Sequence, residues 1–221
     1  MCLIAFACKE EPQPHYEHWD YRTLGHGPGY YNWQLTRYDS TMYDIALDSL
    51  TRHSGSWGAH IFSVSDTPVN GGGVYYLLEV DLFQARTIRF SGWTRSENVM
   101  EATLWFSVAK NRDLPHQKNL GKEIFDGISE FAGLETLPDY FLSQHKDMIS
   151  GTADWKKHEF TIDIPQEAAY TAFGIWMKGT GKLWLDDFAY EIIGKLPTDS
   201  SFKDRSMFIS KPRDLDFEHT E

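Results

Sequence analysis

Three tryptophans are the residues of this chain whose type and spacing best suit a binding site. Trp93, Trp105 and Trp176 each lie in a segment where apolar and polar side chains alternate. Because successive side chains of a strand point to opposite faces, the alternation places these rings on the polar faces of their strands. Cationic side chains share those faces: Arg89 and Arg95 with Trp93, and Lys178 with Trp176.

This combination of residues fits sugar recognition. Flat aromatic rings stack on the apolar face of a pyranose, while polar neighbours form hydrogen bonds with its hydroxyl groups. If the three strands belong to one sheet, the rings line its concave face, and the expected ligand is a polysaccharide or another glycan. Two alternatives stay open: the rings form a second small core under a covering segment or module, or they contact a peptide or protein partner.

The motif WLDDF supplies a pair of adjacent carboxylates, Asp186 and Asp187. Neighbouring side chains of a regular strand point to opposite faces, so these carboxylates cannot hold one ion together unless the strand is distorted. The alternative is structural, with one carboxylate capping backbone amides while the other is solvated.

Motifs for catalysis are missing from the sequence. It contains no GxSxG, no HExxH and no glycine-rich phosphate loop followed by lysine, and the glycines after Asn70 are typical of a turn. The sequence therefore predicts a protein that is not an enzyme. A glycoside hydrolase with an unrecognised acidic pair is the third possibility, since 32 Asp and Glu residues offer many pairs.

The elements that must position these residues are predicted to be strands. Alternation and turn signals predict strands at 43–49, 57–63, 74–82, 87–96 and 102–110, and three more within 151–193. Such a series, without helical periods between the strands, predicts an all-β fold, an antiparallel jelly-roll β-sandwich. Residues 111–150 break the series with apolar residues at three- and four-residue spacing, which predicts a partly helical insertion. The expected organisation is a tail at 1–14, a domain at 15–193 and a linker at 194–221.

Composition limits the partners of the chain. A net charge of −11 argues against nucleic acid and anionic membrane surfaces. No apolar run approaches the roughly 18 residues that would indicate a transmembrane segment. The two cysteines, Cys2 and Cys8, lie within the first eight residues, so no disulfide is expected in the body of the domain.

The amino-terminal residues resemble the end of a bacterial lipoprotein signal. The apolar segment 3–7 ends directly before Cys8, and the polar residues KEE follow. This pattern predicts Cys8 as the lipidated residue and places the protein in the outer membrane or at the cell surface. The segment is shorter than a complete signal, and the alternative is a cytoplasmic start with a frayed tail.

The motifs SGW, GTADW, AFGIW and WLDDF occur in this order. With them the chain resembles the carbohydrate-binding-module-like, galactose-binding-like jelly-roll domain of Bacteroidetes lipoproteins, the type that precedes erythromycin-esterase-like and tail-specific serine peptidase domains. The resemblance covers about residues 43–193 apart from the insertion. It implies a non-catalytic glycan-binding module; the alternative is a structural or docking module for a partner domain.

Two further expectations come from this resemblance. Related jelly rolls hold a structural calcium ion, and here the resemblance implies Asp187 as a ligand, with Glu17 or Asp20 as its partner. The segment DLDFE at 214–218 is similar to the start of the family's domains and predicts that another module begins there. A chance match in an acidic tail is the alternative for DLDFE.

Overall fold

The computed structural model describes residues 33–36, 41–69, 71–78, 80–109, 140–144, 148–208 and 215–218. Over these ranges the chain forms nine strands and two short 3₁₀ helices, Val80–Leu82 and Ser206–Phe208. The strands are β1 Gln34–Thr36, β2 Tyr43–Asp48, β3 Gly58–Ser63, β4 Gly71–Leu78, β5 Arg86–Ala109, β6 Tyr140–Gln144, β7 Ile149–Ile164, β8 Tyr170–Lys178 and β9 Lys182–Lys195.

All nine strands form one hydrogen-bonded network, and strand β5 organises it because its two halves belong to the two layers of the sandwich, which we call the two sheets. Its first half pairs with β7 on one side and β9 on the other, and β9 continues to β3 and β2. Its second half pairs with β6 and β8, and β8 continues to β4 and β1. Between the halves, Asn98 has a φ of 51° and the pairing with β7 shifts register. All pairings are antiparallel, so the predicted jelly-roll β-sandwich is confirmed.

Aromatic side chains fill the space between the two sheets. Phe90 of β5 and Phe173 of β8, which belong to different sheets, lie 4.3 Å apart between ring centroids. Trp33 contacts Phe173 edge-on at 5.3 Å and packs beside Phe188 at 4.9 Å. Burying each such ring contributes roughly 1.5–3 kcal/mol, so the sandwich needs no disulfide in this core.

Two predicted elements differ from the observed ones. The strands expected at 87–96 and 102–110 are one continuous strand, β5, because each half finds partners in a different sheet. Residues 140–144, expected to be helical, form β6 because they pair with the second half of β5. The rest of the expected helical insertion lies outside the described residues at 111–139 and 145–147, and its end, from Ile149, begins β7.

The glycines expected to form a turn at 71–73 belong to β4. A Cβ on Gly73 would come within 2.9 Å of the Trp176 Cα, and one on Gly72 within 2.8 Å of the Tyr43 ring. Glycine is therefore required here by close packing in the sheet.

Residues 215–218 pack into the sandwich. Phe217 is 1% exposed and stacks on Trp33, with centroids 4.9 Å apart and planes 23° apart. The Phe188 N–H donates to the Leu215 carbonyl at 3.2 Å. The expectation of a linker does not hold for these residues, and Phe217 belongs to the core of this domain.

Candidate functional site

Strand β9 is distorted at the two adjacent carboxylates. Ser91 of β5 lies opposite Ala189, but Trp93 lies opposite Asp186, so a step of two residues in β5 faces a step of three in β9. The extra residue, Asp187, has a φ of 48° in the left-handed region. This arrangement is a β-bulge, which bends a strand and redirects its side chains.

The bulge turns both carboxylates toward the 49–57 loop between β2 and β3. One oxygen of Asp186 accepts the backbone N–H groups of His53 at 2.6 Å and Ser54 at 3.0 Å. Its other oxygen accepts the N–H of Asp187 at 2.7 Å. Asp187 lies 2.6 Å from His53 Nδ1 and accepts the Ser54 hydroxyl at 2.8 Å. The two carboxylates therefore hold one loop, which a regular strand would not allow.

Asp186 pays a desolvation cost for this position. The residue is 1% exposed. Burial raises the pKa of Asp186 to about 6, and the three backbone N–H groups that it accepts limit the rise. Asp186 thus accepts hydrogen bonds from backbone amides, as the structural alternative predicted. Asp187 is partly exposed.

His53 lies between two tryptophans. Its ring stacks on Trp93 with centroids 3.8 Å apart and planes 17° apart, and it meets Trp155 edge-on at 5.6 Å. All three residues are partly exposed. We call Trp93, His53 and Trp155 the Trp93 cluster. Because a carboxylate only accepts hydrogen bonds, we assign to His53 the tautomer in which Nδ1 carries a proton and donates it to Asp187. His53 Nε2 has no hydrogen-bond partner within the described chain, so it remains available to a ligand.

Charged side chains lie on the same face of β5 and β7 as Trp93. Lys157 lies opposite Trp93 on β7 and pairs with Glu159 at 3.4 Å. Arg95, two residues along from Trp93, places its guanidinium 5.2 Å from the centre of the Trp184 ring. Farther along β5, Arg89 pairs with Glu191 at 2.8 Å. Such exposed pairs contribute little stability, so these groups can exchange partners at low cost.

Two of the three predicted tryptophans lie elsewhere. Trp105 is 1% exposed and Trp176 is 7% exposed, and both belong to the sheet built on the second half of β5. The Trp105 ring lies over Gly174, where a Cβ would come within 2.9 Å of it. The expectation that Trp93, Trp105 and Trp176 share one exposed face is therefore wrong, because β5 leaves one sheet for the other between Trp93 and Trp105.

The predicted cationic residues are exposed. Arg89 and Arg95 lie on the same face of β5 as Trp93, whereas Lys178 lies at the end of β8 opposite Glu101, in the other sheet. The structure thus brings together Trp93, Arg89 and Arg95, and separates them from Lys178. Their role in binding stays a prediction.

Sequence reasoning did not find His53 and Trp155. The segment HSGS at 53–56, between two predicted strands, is typical of a turn, and no local pattern shows that its histidine lies on a tryptophan 40 residues away. Trp155 belongs to the GTADW motif, which carried the resemblance but suggested no role for the ring. The available signal was a tryptophan within a strand whose neighbours are polar and exposed.

The calcium prediction rests partly on residues outside the described ranges. Within those ranges, no group of three or more His, Cys, Asp or Glu residues is arranged to hold a metal ion. Glu17, Asp20 and Cys8, the predicted site of lipidation, lie outside them. Among the described residues, no helix has the length and apolarity to cross a membrane.

Comparisons by sequence find a distant relative but no matching family. No model of a known protein family matches the chain. A curated relative, the uncharacterized HTH-type transcriptional regulator YbfP of Bacillus subtilis strain 168, is 20% identical over 191 residues, which are 84% of this chain and 56% of YbfP. The chain therefore spans about half the length of this relative.

Two solved structures with the same fold contain carbohydrate-binding modules. The first contains the family 22 and GH10 modules of Clostridium thermocellum xylanase 10B in a complex with xylohexaose. The similarity has a TM-score of 0.50 and 12% sequence identity, and it covers 73% of this chain and 26% of the xylanase chain. The second is the tandem family 22 modules of Paenibacillus barcinonensis Xyn10C, with TM-score 0.50, 13% identity, and 87% of this chain covering 52% of that one. At these identities the similarity shows the fold, a jelly-roll β-sandwich.

Proposed function

We propose that this protein is a non-catalytic glycan-binding module whose ligand contacts the Trp93 cluster. The observation that carries the proposal is the set of partly exposed rings, Trp93, His53 and Trp155, on the outer face of one sheet. The fold supports it, because solved structures that share this fold contain carbohydrate-binding modules.

The chemistry of the Trp93 cluster suits a saccharide. The two indole rings offer apolar surface to pyranose rings, and cost little side-chain entropy because they are already packed. His53 belongs to the cluster, Ser54 follows it in the loop, and Lys157 lies opposite Trp93 on β7, so their polar groups are the proposed partners for hydroxyl groups. Arg95 lies two residues, about 7 Å, along β5 from Trp93, within reach of a neighbouring sugar unit.

The proposed site keeps part of the sequence prediction and replaces the rest. Trp93, Arg95 and Arg89 remain, because they share the exposed face of the first sheet. Trp105 and Trp176 are replaced by His53 and Trp155, because buried rings cannot stack on a polysaccharide from solution. Lys178 does not belong to the proposed surface.

Affinity electrophoresis and calorimetry test the proposal. The panel includes soluble xylan, β-1,4-galactan, mannan and β-glucan, and the variants are Trp93→Ala and Trp155→Ala. We expect retardation by at least one polysaccharide and its loss in both variants. Met207→Ala is the matched control, because this side chain is 81% exposed outside the Trp93 cluster. Binding to no polysaccharide, or unchanged binding in the two tryptophan variants, would remove the proposal.

A docking module is the second candidate. Similar domains occupy only part of longer proteins, 56% of YbfP and 26% of the xylanase chain. In that case a neighbouring domain covers Trp93 and Trp155 in the complete protein. Acrylamide quenching of the longest available chain distinguishes the two, since covered rings resist quenching and a free binding surface does not.

The cell-surface position and the calcium ion are separate parts of the proposal. The sequence around Cys8 supports a lipid anchor, and labelling with an alkyne fatty acid should depend on Cys8. The resemblance supports a calcium ion at Asp187 with Glu17 or Asp20. If it binds there, adding Ca²⁺ to chelator-treated protein should raise Tm in the wild type but not in Asp187→Ala.

A further inference from the structure

The 49–57 loop, which carries His53, is held by three carboxylates. Six of its backbone N–H groups donate to them, and each carboxylate accepts two. The pairs are Leu50 and Thr51 to Asp48, His53 and Ser54 to Asp186, and Ser56 and Trp57 to Glu218.

The three carboxylates come from distant parts of the chain. Asp48 ends β2, Asp186 lies in the bulge of β9, and Glu218 follows the buried Phe217. Gly55 has a φ of +57°, and the Glu218 carboxylate occupies the place that a Cβ on Gly55 would need. The loop has no strand or helix to satisfy its N–H groups, so these contacts determine its conformation.

We infer that Asp186 and Glu218 are positioning residues of the proposed glycan site. They hold the 49–57 loop so that His53 lies on Trp93, and they thereby set the shape of the Trp93 cluster. The inference rests on the proposed function for its ligand, but the position of His53 can be measured without any ligand.

Glu218 and Asp186 differ in the number of carboxylate oxygens that accept hydrogen bonds. Both N–H groups held by Glu218 donate to the same oxygen, Oε1. The amide oxygen of a glutamine can accept both, so Glu218→Gln should keep the loop in place. Asp186 accepts with both oxygens, so Asp186→Asn sets an NH₂ group against a backbone N–H.

The test measures binding and the His53 ring together. Affinity electrophoresis in soluble xylan and in β-1,4-galactan gives the first readout. The second is the NMR shift of the His53 imidazole protons, which the stacked Trp93 ring moves upfield, assigned by its loss in His53→Gln. We expect Glu218→Ala, which loses two hydrogen bonds to the loop, to weaken binding roughly tenfold and to lose the upfield shift. Asp186→Asn keeps one oxygen acceptor but places an NH₂ group against a backbone N–H, so it should also weaken binding and reduce the shift.

Two variants serve as controls. Glu218→Gln should bind within about twofold of the wild type, because the acceptor geometry is kept. Asp66→Ala removes an exposed carboxylate outside the loop and should change neither readout. Thermal unfolding of each variant shows whether the rest of the domain remains folded.

The outcomes separate this inference from the proposed function. If the wild type binds and Glu218→Ala keeps both affinity and the upfield shift, the positioning role is wrong and the glycan site stands. A Glu218→Gln variant that fails like Glu218→Ala would also overturn it. If the wild type binds neither these two polysaccharides nor the mannan and β-glucan of the panel, the glycan proposal fails, while the His53 shift still decides whether Glu218 positions the ring.

Discussion

The environment of Asp186 shows how one residue joins structure and proposed function. Its carboxylate is buried in the bulge of β9, yet it accepts three backbone N–H groups and has a pKa of about 6. At neutral pH the group is mostly ionised, and its interactions with the loop offset part of the cost of burying that charge. The burial of this charge is therefore unfavourable, and the hydrogen bonds to the loop offset part of its cost.

The raised pKa predicts a pH dependence of stability. The folded-state pKa of Asp186, about 6, is above its ordinary value of 3.8, so the folded protein binds this proton more tightly. The contribution of Asp186 to stability is therefore greatest below about pH 4 and falls as the pH rises through 6. Urea unfolding of the wild type and Asp186→Asn from pH 4 to 7.5 measures it.

Comparison of these two proteins isolates Asp186, because the other carboxylates are common to both. Among them, hydrogen bonds from Ser206 and Arg86 lower the pKa of Asp204 to about 2. We expect the wild type to gain stability relative to Asp186→Asn as the pH is lowered from 7 to 4. A difference that stays constant over this range would contradict the prediction.

At the scale of elements, the segment 215–218, which we call the C-terminal tail, differs most from the sequence expectation. Residues 215–218 place Phe217 against Trp33 and Phe188, and place Glu218 under the 49–57 loop. The tail thus connects the core of the sandwich with the loop of the proposed site.

Substitution of Phe217 tests this connection. Because the ring is 1% exposed and stacked in the core, Phe217→Ala should lower the free energy of unfolding by about 3–5 kcal/mol. Urea unfolding measures the loss. The neighbouring Asp216 is exposed, and Asp216→Ala should cost less than about 1 kcal/mol. Equal effects of the two substitutions would show that the tail does not support the core in solution.

At the scale of the whole molecule, the net charge of −11 contrasts with the balanced surface around the Trp93 cluster. Lys157 and Arg89 are each matched by a glutamate on this face. Arg95 makes no ion pair within the described chain, and its guanidinium lies over the Trp184 ring. Binding of a neutral glycan would thus depend on ring contacts and hydrogen bonds more than on charge.

This balance predicts weak salt dependence. Raising NaCl from 50 to 500 mM shortens the Debye length to a few ångströms and screens exposed charges. Calorimetry with the best-binding neutral polysaccharide should show less than about a twofold change in affinity. A strong loss of affinity with salt, removed in Arg95→Gln, would contradict this prediction and show that the charge of Arg95 contributes to binding.

The sequence by itself determined the local features of this protein. Alternation predicted most strands and the jelly-roll class, because the direction of a side chain along a strand follows from its position alone. For the same reason it placed Trp93, Arg89 and Arg95 correctly on one outward face of β5.

Only the tertiary structure decided which features meet. The passage of β5 between sheets buried Trp105 and separated it from Trp93, and the bulge turned Asp186 and Asp187 toward one loop. His53 reached Trp93, and Phe217 reached the core, through contacts between segments far apart in the chain. Such pairings depend on how whole strands and loops pack, and no local pattern of residues records them.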